Sequence, residues 1–91
     1  MADWKKNLFE LSDTKILIYV KARGKARYSD LLDEVISSRS TLASSLSRLQ
    51  RAGLLSRTVR NTRPVQTEYT LTEKGTRFVE LLTNIRELLD V

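Results

Sequence analysis

The stretch STLASSLSRLQRAGLLSRTVRNTRPVQTEYTLTEKG, residues 40–75, holds a helical pattern, two strand patterns and the start of another helix. In its first part Leu42, Leu46 and Leu49 lie within about 60° of one another at 100° per residue. They form one narrow stripe that would face a core. The stretch therefore predicts an amphipathic helix over residues 38–52.

The sequence also indicates where this helix begins and ends and which residues form its outer face. Ser38 can cap its N-terminus, and Gly53 can end it in the left-handed conformation. An ordinary solvated face would favour Glu and Lys, but this one carries small hydroxyl groups and arginines, which suit close approach to a groove and to phosphates. These residues are Ser40, Ser44, Ser47, Arg48 and Arg51.

Two alternating segments follow Gly53 and predict a β-hairpin. Residues 54–60 contain β-branched side chains, and residues 65–71 alternate strictly. The turn between them places Arg63 and Pro64 at the tip, with Arg60 on the ascending arm. One face of the second strand is expected to carry Val65, Thr67, Tyr69 and Leu71.

The charge of the chain is concentrated in its central third. Residues 1–34 have an excess of one positive charge and residues 68–91 an excess of two negative charges, within a net charge of +5. Residues 35–67 contain six basic groups and no acid, which is the pattern expected for a polyanion partner. A face chosen for solubility is the alternative, although it would mix signs and use Lys. The six are Arg39, Arg48, Arg51, Arg57, Arg60 and Arg63.

Shorter patterns precede the central helix. A helical run with Ile16, Leu17 and Val20 inward can begin with a cap at Ser12 or Asp13. A short strand is expected near residues 25–28. A further helix begins at a Ser29 cap, and it is separated from the central helix by a tight turn, which gives a helix-turn-helix.

Both ends of the chain predict apolar helices. The C-terminal helix is capped by Thr72, and its main apolar stripe is expected to consist of Phe78, Leu82, Ile85 and Leu89. Such a helix can cover its own core or share its surface with a second copy, and dimerisation is the expected use. The predicted interface residues are Trp4, Leu8, Leu11, Leu81, Ile85, Leu88 and Leu89.

The predicted fold class is mainly α with a small β-hairpin (α+β), arranged as a winged helix-turn-helix. Residues 1–91 are expected to form a single domain. Within it, residues 12–72 supply the helix-turn-helix and wing, while residues 1–11 and 73–91 supply terminal helices for dimerisation.

The segments STLASSLSRLQRAGLLSR and TEYTLTEKG carry a family resemblance. They resemble small prokaryotic and archaeal winged helix-turn-helix regulators of the MarR, HxlR and PadR type. The resemblance covers about residues 12–80 and implies a DNA-binding protein, usually a dimer and commonly a repressor. The recognition positions that it implies are Arg39, Ser40, Ser44, Ser47 and Arg48, and its wing positions are Arg60 and Arg63.

Two departures from that pattern bear on regulation. MarR-like proteins are longer and have a ligand crevice, for which this chain has little material. HxlR-like redox sensors rely on cysteine, and the sequence contains neither cysteine nor histidine. No small-molecule effector is expected.

The same composition argues against catalysis. Without Cys or His there is no thiol nucleophile, no zinc cluster and no side chain that titrates near neutrality unless perturbed. No phosphate-binding loop or pair of carboxylates stands out either. The sequence predicts no enzyme, no cofactor, no metal and no membrane contact, and a cytoplasmic, nucleoid-associated location.

The function expected is sequence-specific binding of double-stranded DNA by a transcriptional regulator, a repressor acting as a homodimer. Helix 38–52 would enter the major groove, and wing 60–65 would contact the backbone or minor groove. Two alternatives stay open: a winged helix that binds an acidic protein surface, and an architectural protein that coats DNA without sequence preference.

Overall fold

A computed structural model describes residues 4–91, so the first three positions of the predicted terminal segment lie outside it. Five helices and one small sheet make up the described chain, which confirms the predicted fold class. The elements are α1 Trp4–Glu10, α2 Ser12–Arg23, β1 Ala26–Arg27, α3 Tyr28–Glu34, α4 Arg39–Arg51, β2 Leu55–Arg60, β3 Gln66–Leu71 and α5 Glu73–Leu89.

The sheet has three antiparallel strands in the order β1, β3, β2. Strands β2 and β3 form the predicted hairpin, with Leu55 opposite Leu71 at its base. The short strand predicted near residues 25–28 is β1, which pairs with the outer side of β3 through Ala26 and Tyr69. The strand pattern of this dipeptide was weak, but its position in the fold turns the wing into a three-stranded sheet.

The core is formed where α2, α4 and the sheet meet. Along α4 the predicted leucine stripe is buried, as are the predicted inward residues of α2. Tyr69 is buried, but Val65 precedes β3 and is 63% exposed, so its predicted place beside Tyr69 is wrong. The buried core consists of Ile16, Leu17, Val20, Ala26, Leu31, Leu42, Leu46, Leu49, Leu54, Leu55, Tyr69 and Val79.

The predicted start of α4 is confirmed, whereas those of α2 and α3 are not. The Ser38 hydroxyl accepts a hydrogen bond from the Thr41 amide at 3.3 Å. Helix α2 begins at Ser12 itself, whose hydroxyl lies 2.8 Å from Ser45 Oγ on another helix. Helix α3 begins before Ser29, because the Asp30 carboxylate accepts from the Arg27 amide and closes the first turn.

A close backbone contact joins the start of α5 to the end of α4. An added Cβ on Gly75 would lie 2.0 Å from the Leu54 carbonyl oxygen, so only glycine fits there. The Thr72 hydroxyl accepts from the Gly75 amide at 2.9 Å and donates to the Gly53 carbonyl at 2.6 Å. The backbone amide of Thr72 also donates to the Leu54 carbonyl at 3.1 Å. We call this set of contacts, made by residues 53, 54, 72 and 75, the Gly75 contact.

This contact determines which face of α5 points inward. Of the predicted stripe, Leu82 and Leu89 are half-buried, whereas Phe78 and Ile85 are exposed. Gly75 and Val79 are the buried residues of α5, whereas Phe78 is 40% exposed. Because Gly75 must face Leu54, the residues one turn further along the same face follow it into the core. The side chains left exposed lie on a second stripe: Phe78, Leu81, Ile85 and Leu88.

Helix α1 packs through a residue outside its predicted stripe. Phe9 is buried, and the Arg86 guanidinium lies 5.1 Å from the centroid of its ring, which holds α1 against α5. The predicted stripe of Trp4, Leu8 and Leu11 is exposed. Within residues 4–91, no helix is both long and apolar enough to cross a membrane.

Substituting Gly75 by Ala should destabilise the protein by about 3 kcal/mol, because the new methyl group meets a backbone carbonyl that is itself hydrogen-bonded. Urea unfolding followed by circular dichroism measures this change. The matched control is Gly24→Ala, where φ is 82° but an added Cβ would have no described atom within 4 Å apart from its own chain neighbours. Its cost should be only that of the left-handed conformation, about 1 to 2 kcal/mol. Equal losses in the two variants would show that the Gly75 contact does not constrain the fold.

Candidate nucleic-acid interface

The outer face of α4 is built from residues that stay exposed while the leucines opposite are buried. Ser40, Ser44, Ser47 and Arg51 lie within about 60° of one another around the helix axis, on the solvent side. None of these side chains is longer than serine except Arg51, so the helix presents a slim profile. Arg39 is the first residue of α4 and is also exposed.

The arginines of the central third fall into two groups. Within the described chain, four of them are exposed and have no ion-pair partner: Arg39, Arg51, Arg57 and Arg63. The other two are paired with carboxylates from outside the central third. Unpaired guanidinium groups keep all five donors available for a polyanion.

Arg60 is one of the paired arginines. Its Nε lies 2.9 Å from Glu68 Oε1, across the hairpin between β2 and β3. The Glu68 side chain is only 11% exposed, and its Cα lies opposite Thr58 on one side and Arg27 on the other. The carboxylate therefore holds Arg60 on the sheet. Among the described residues, Arg57 on β2 and Arg63 at the tip are the arginines of the hairpin without an ion pair.

Arg48 is the other paired arginine, and its partner lies on α2. Its Nε donates to Asp13 Oδ2 at 3.0 Å and its Nη2 donates to Asp13 Oδ1 at 2.9 Å. This is a bidentate arginine–carboxylate pair, the strongest directional geometry available to these groups. The structure thus gives Arg48 a protein partner, whereas the sequence predicted it as a DNA contact.

Two hydroxyl groups complete a ring around this pair. Arg48 Nη2 also donates to Ser45 Oγ at 3.1 Å, and Ser45 Oγ lies 2.8 Å from Ser12 Oγ. The Ser12 hydroxyl in turn donates to Asp13 Oδ1 at 3.4 Å. Ser45 is completely buried, so these two partners satisfy a group that would otherwise be costly. We call Ser12, Asp13, Ser45 and Arg48 the α2–α4 clamp.

The clamp lowers the pKa of Asp13. The hydrogen bonds from Arg48 hold the pKa of Asp13 below its ordinary value, and the neighbouring hydroxyls of Ser45 and Ser12 act in the same direction. Partial burial opposes them. Asp13 therefore stays ionised throughout the neutral range and keeps the guanidinium in place.

Sequence reasoning missed Arg27 and Tyr28, which lie between α4 and the wing. A groove of about 340 Å³ beside α4 is lined by Tyr28, Ser47 and Arg51 among others. A second groove of about 370 Å³ brings Tyr28 and Arg27 next to Pro64 and Val65 of the hairpin. The available signal was a run of basic residues at alternate positions, Lys21, Arg23, Lys25 and Arg27. The link of this run to the wing depends on the pairing of β1 with β3.

Comparison with known families identifies this arrangement. The family model described as HxlR-like helix-turn-helix matches residues 13–90, which is nearly the whole chain. The chain belongs to the HxlR-like helix-turn-helix family. The resemblance read from the sequence is confirmed, and the assignment is to DNA-binding transcriptional regulators, not to an enzyme class.

Solved structures agree with this HxlR-like assignment. The transcriptional regulator YodB from B. subtilis in its reduced form is 26% identical, with 99% of this chain and 92% of that chain covered and a TM-score of 0.72. The diamide-treated form of YodB is 28% identical, with 99% and 93% covered and a TM-score of 0.73.

A more distant structure shares the fold alone. The transcriptional regulator homologue from Pyrococcus horikoshii is 24% identical, with 87% of this chain and 83% of that chain covered and a TM-score of 0.71. The comparison with curated proteins gave no match.

Replacing Asp13 by Asn should lower the free energy of unfolding at pH 7. It should also make that free energy less dependent on pH in the acidic range. The folded-state pKa of Asp13 is depressed, so its stabilising contribution is fully present above about pH 5 and is lost as the pH falls through and below 4. Urea unfolding of both proteins at several pH values from 7 to 3 measures this. The difference between them should shrink as the pH falls, and a difference that stays constant would contradict the assigned role of Asp13.

Proposed function

We propose that this HxlR-like protein is a sequence-specific, double-stranded DNA-binding transcriptional repressor that acts as a homodimer. The observation that carries the proposal is the exposed face of α4, where three serines and an unpaired Arg51 lie opposite a buried leucine stripe. In this proposal helix 38–52 enters the major groove, and wing 60–65 reaches the backbone or minor groove.

The chemistry of α4 suits a groove that admits a helix. The major groove of B-DNA is about 12 Å wide, close to the diameter of an α-helix with its side chains, so short side chains favour deep entry. Serine hydroxyls donate to and accept from base edges, and Arg51 can donate to phosphate or guanine. Arg39 at the N-terminal end of α4 would meet the backbone at the groove edge.

The wing complements this contact with charge. Among residues 4–91, Arg63 at the hairpin tip and Arg57 on β2 have no carboxylate partner, whereas Arg60 is held by Glu68. We therefore assign most of the wing's electrostatic contribution to Arg63. An arginine at a hairpin tip can follow the phosphate backbone or enter a narrow minor groove.

Dimerisation through the terminal helices is supported by their exposed apolar side chains. On α5, Leu88 is 84% exposed and Leu81 and Ile85 lie on the same stripe. Trp4 and Leu8 on α1 are exposed, as is Leu11 between α1 and α2. Monomeric soluble proteins rarely leave such stripes uncovered. Leu89 was predicted with this group, but it is half-buried and would contribute less.

A dimer also explains how one small domain could bind tightly enough to occupy a site. A single α4 and a single wing make few phosphate contacts, while two linked half-sites about one helical turn apart gain from effective concentration. Occupying a promoter in this way is sufficient for repression. The proposal places the protein in the cytoplasm on the nucleoid.

No thiol switch forms part of the proposal. Diamide oxidises thiols, and YodB is known in diamide-treated and reduced forms. This chain has no cysteine, so it cannot form a disulfide.

Binding of a fluorescent duplex, measured by anisotropy across a salt series, tests the DNA contact. The affinity should fall steeply with salt, and Arg51→Ala and Arg63→Ala should each weaken binding to every duplex and reduce the log–log salt slope by about one. The matched control is Arg77→Ala, which removes an exposed arginine from α5 and should leave the slope unchanged.

The outcomes separate the three functional hypotheses. A sequence-specific regulator loses base preference in Ser44→Ala, measured as the affinity ratio between a selected duplex and a scrambled one. An architectural protein shows the arginine effects and no selected duplex. No binding to any duplex even at low salt would overturn the DNA role and favour an acidic protein partner.

Replacing Leu88 by Glu should dissociate the dimer, because a charge would be buried in the proposed apolar interface. Sedimentation equilibrium should give about 21 kDa for the wild-type protein, twice the chain mass of 10.5 kDa, and the monomer mass for the variant. Glu87→Lys, which changes an exposed charge about 100° around α5 from Leu88, is the control and should remain dimeric. A wild-type protein that sediments as a monomer at micromolar concentration would contradict the proposed dimer.

A further inference from the structure

We infer that Arg48, through its pairing with Asp13, is a positioning residue that fixes the rotation of α4 on α2, and that it does not itself contact DNA. The inference deepens the proposed function and rests on it, because it concerns how the proposed recognition helix is aimed. It assigns to Asp13 and Ser45 a role in sequence specificity although neither lies on the outer face of α4.

The position of Arg48 on the helix is the first observation. At 100° per residue, Ser40, Ser44, Ser47 and Arg51 centre on one direction, and Arg48 lies about 70° away on the flank nearest α2. Ser45 lies further round, at the edge of the buried leucine stripe. Arg48 therefore occupies the border between the outer face and the α2 interface, where its guanidinium reaches Asp13 at 2.9 and 3.0 Å.

The second observation is that the apolar contacts between α2 and α4 depend little on the rotation of one helix relative to the other. Leu42, Leu46 and Leu49 pack against apolar side chains, and such burial is non-directional, so it permits small rotations of one helix on another. A bidentate guanidinium–carboxylate pair accepts only a narrow range of geometry. The buried Ser45 hydroxyl adds a third directional contact, since rotation of α4 would separate it from Ser12.

Small rotations matter for base recognition. Side-chain ends lie about 6 Å from the helix axis, so a rotation of about 15° would move them by about 1.5 Å. Binding groups must be held to within about 0.5 Å and 10–20° of their productive geometry to work well. The clamp thus restricts α4 at the scale on which hydrogen bonds to base edges are gained or lost.

The ion pair within the clamp is exposed enough that stability alone explains it poorly. The Arg48 side chain is 52% exposed and that of Asp13 is 32% exposed, and ion pairs in contact with solvent add little to folding. Variants of the pair should therefore fold and bind DNA. Their principal defect should be in the choice between DNA sequences.

The test uses the full chain and a duplex that the wild-type protein enriches from a random library, with a scrambled duplex of equal length. Anisotropy gives the affinity ratio between the two duplexes and the salt slope for each protein. The variants are Arg48→Ala, Asp13→Ala, the double variant, and the exchange in which Asp13→Arg is combined with Arg48→Asp. Arg51→Ala serves as the reference for a direct DNA contact, and circular dichroism verifies folding. Asp13→Asn replaces Asp13→Ala if the latter does not fold.

The positioning role predicts a single phenotype for both partners. Arg48→Ala and Asp13→Ala should lower the affinity ratio by similar factors, about tenfold, which is the scale of one mismatched base pair. The double variant should be no worse than either single variant. The salt slope should stay at its wild-type value, and the exchanged pair should recover most of the ratio.

A direct DNA contact by Arg48 predicts the opposite pattern and would overturn the inference. Arg48→Ala would then reduce the salt slope by about one, as Arg51→Ala does, while Asp13→Ala would release Arg48 and tighten binding to both duplexes. The exchanged pair would bind worse than Arg48→Ala, because Asp at position 48 would face phosphates. If the wild-type protein enriches no duplex and Arg51→Ala changes nothing, the proposed function and this inference fall together.

Discussion

The approach of Gly75 to the Leu54 carbonyl is the constraint on which the rest of the architecture depends. It joins the end of α4, the start of β2 and the start of α5 within a few residues, with Thr72 hydrogen-bonded to both sides of the junction. Lys74 adds a fourth link through its hydrogen bond to the Ala52 carbonyl at 2.9 Å. A side chain at position 75 would push α5 away from this junction. The hairpin and the terminal helix are therefore oriented by the same contact.

The fold divides the arginines of the central third into those that form ion pairs within the protein and those that are free to bind a polyanion. The central third of the sequence contains no acid, so any arginine there that forms an ion pair must find its partner elsewhere in the chain. Arg48 finds Asp13 on α2, and Arg60 finds Glu68 on β3. Both pairs tie a mobile side chain to a second element. The arginines that have no ion-pair partner in the described part of the chain lie on α4, β2 and the hairpin tip, where they can meet a polyanion.

Much of the fold was predictable because its signals are local. The leucine spacing and the Ser38 and Gly53 ends of α4 depend on neighbouring residues, as do the two strands of the hairpin. The orientation of α5 was not predictable in this way. Its sequence offers two apolar stripes, one through Val79 and one through Phe78, and the choice between them is made by Gly75 meeting Leu54, a contact across 21 positions of the sequence.

The candidate site also has a part that local sequence predicts and a part that depends on contacts between distant residues. The serine face of α4 follows from helical periodicity, but the partner of Arg48 lies 35 positions away and the partner of Arg60 is in the next strand. Helical periodicity places Arg48 on the flank of the outer face and Arg51 near its centre, but it does not show that a carboxylate on α2 lies beside that flank. Periodicity also places Ser45 beside the leucine stripe and away from the other serines, but the hydroxyl of Ser12 that it meets is visible only in the packing of α4 on α2.

Rigid coupling between α4 and α5 has a consequence for how a dimer would read DNA. Hydrogen bonds at 2.6, 2.9 and 3.1 Å join residues 52–54 to residues 72–74, so the two helices cannot reorient independently at this junction. If α5 carries the dimer interface as proposed, the separation and angle of the two recognition helices are set by this junction and by the α2–α4 clamp, and not by a flexible linker. Such a dimer would accept one half-site spacing and reject others, because a change of one base pair shifts a half-site along the axis and rotates it around the duplex. Specificity would then come from spacing as well as from base contacts, which suits a recognition helix whose outer face has few long side chains.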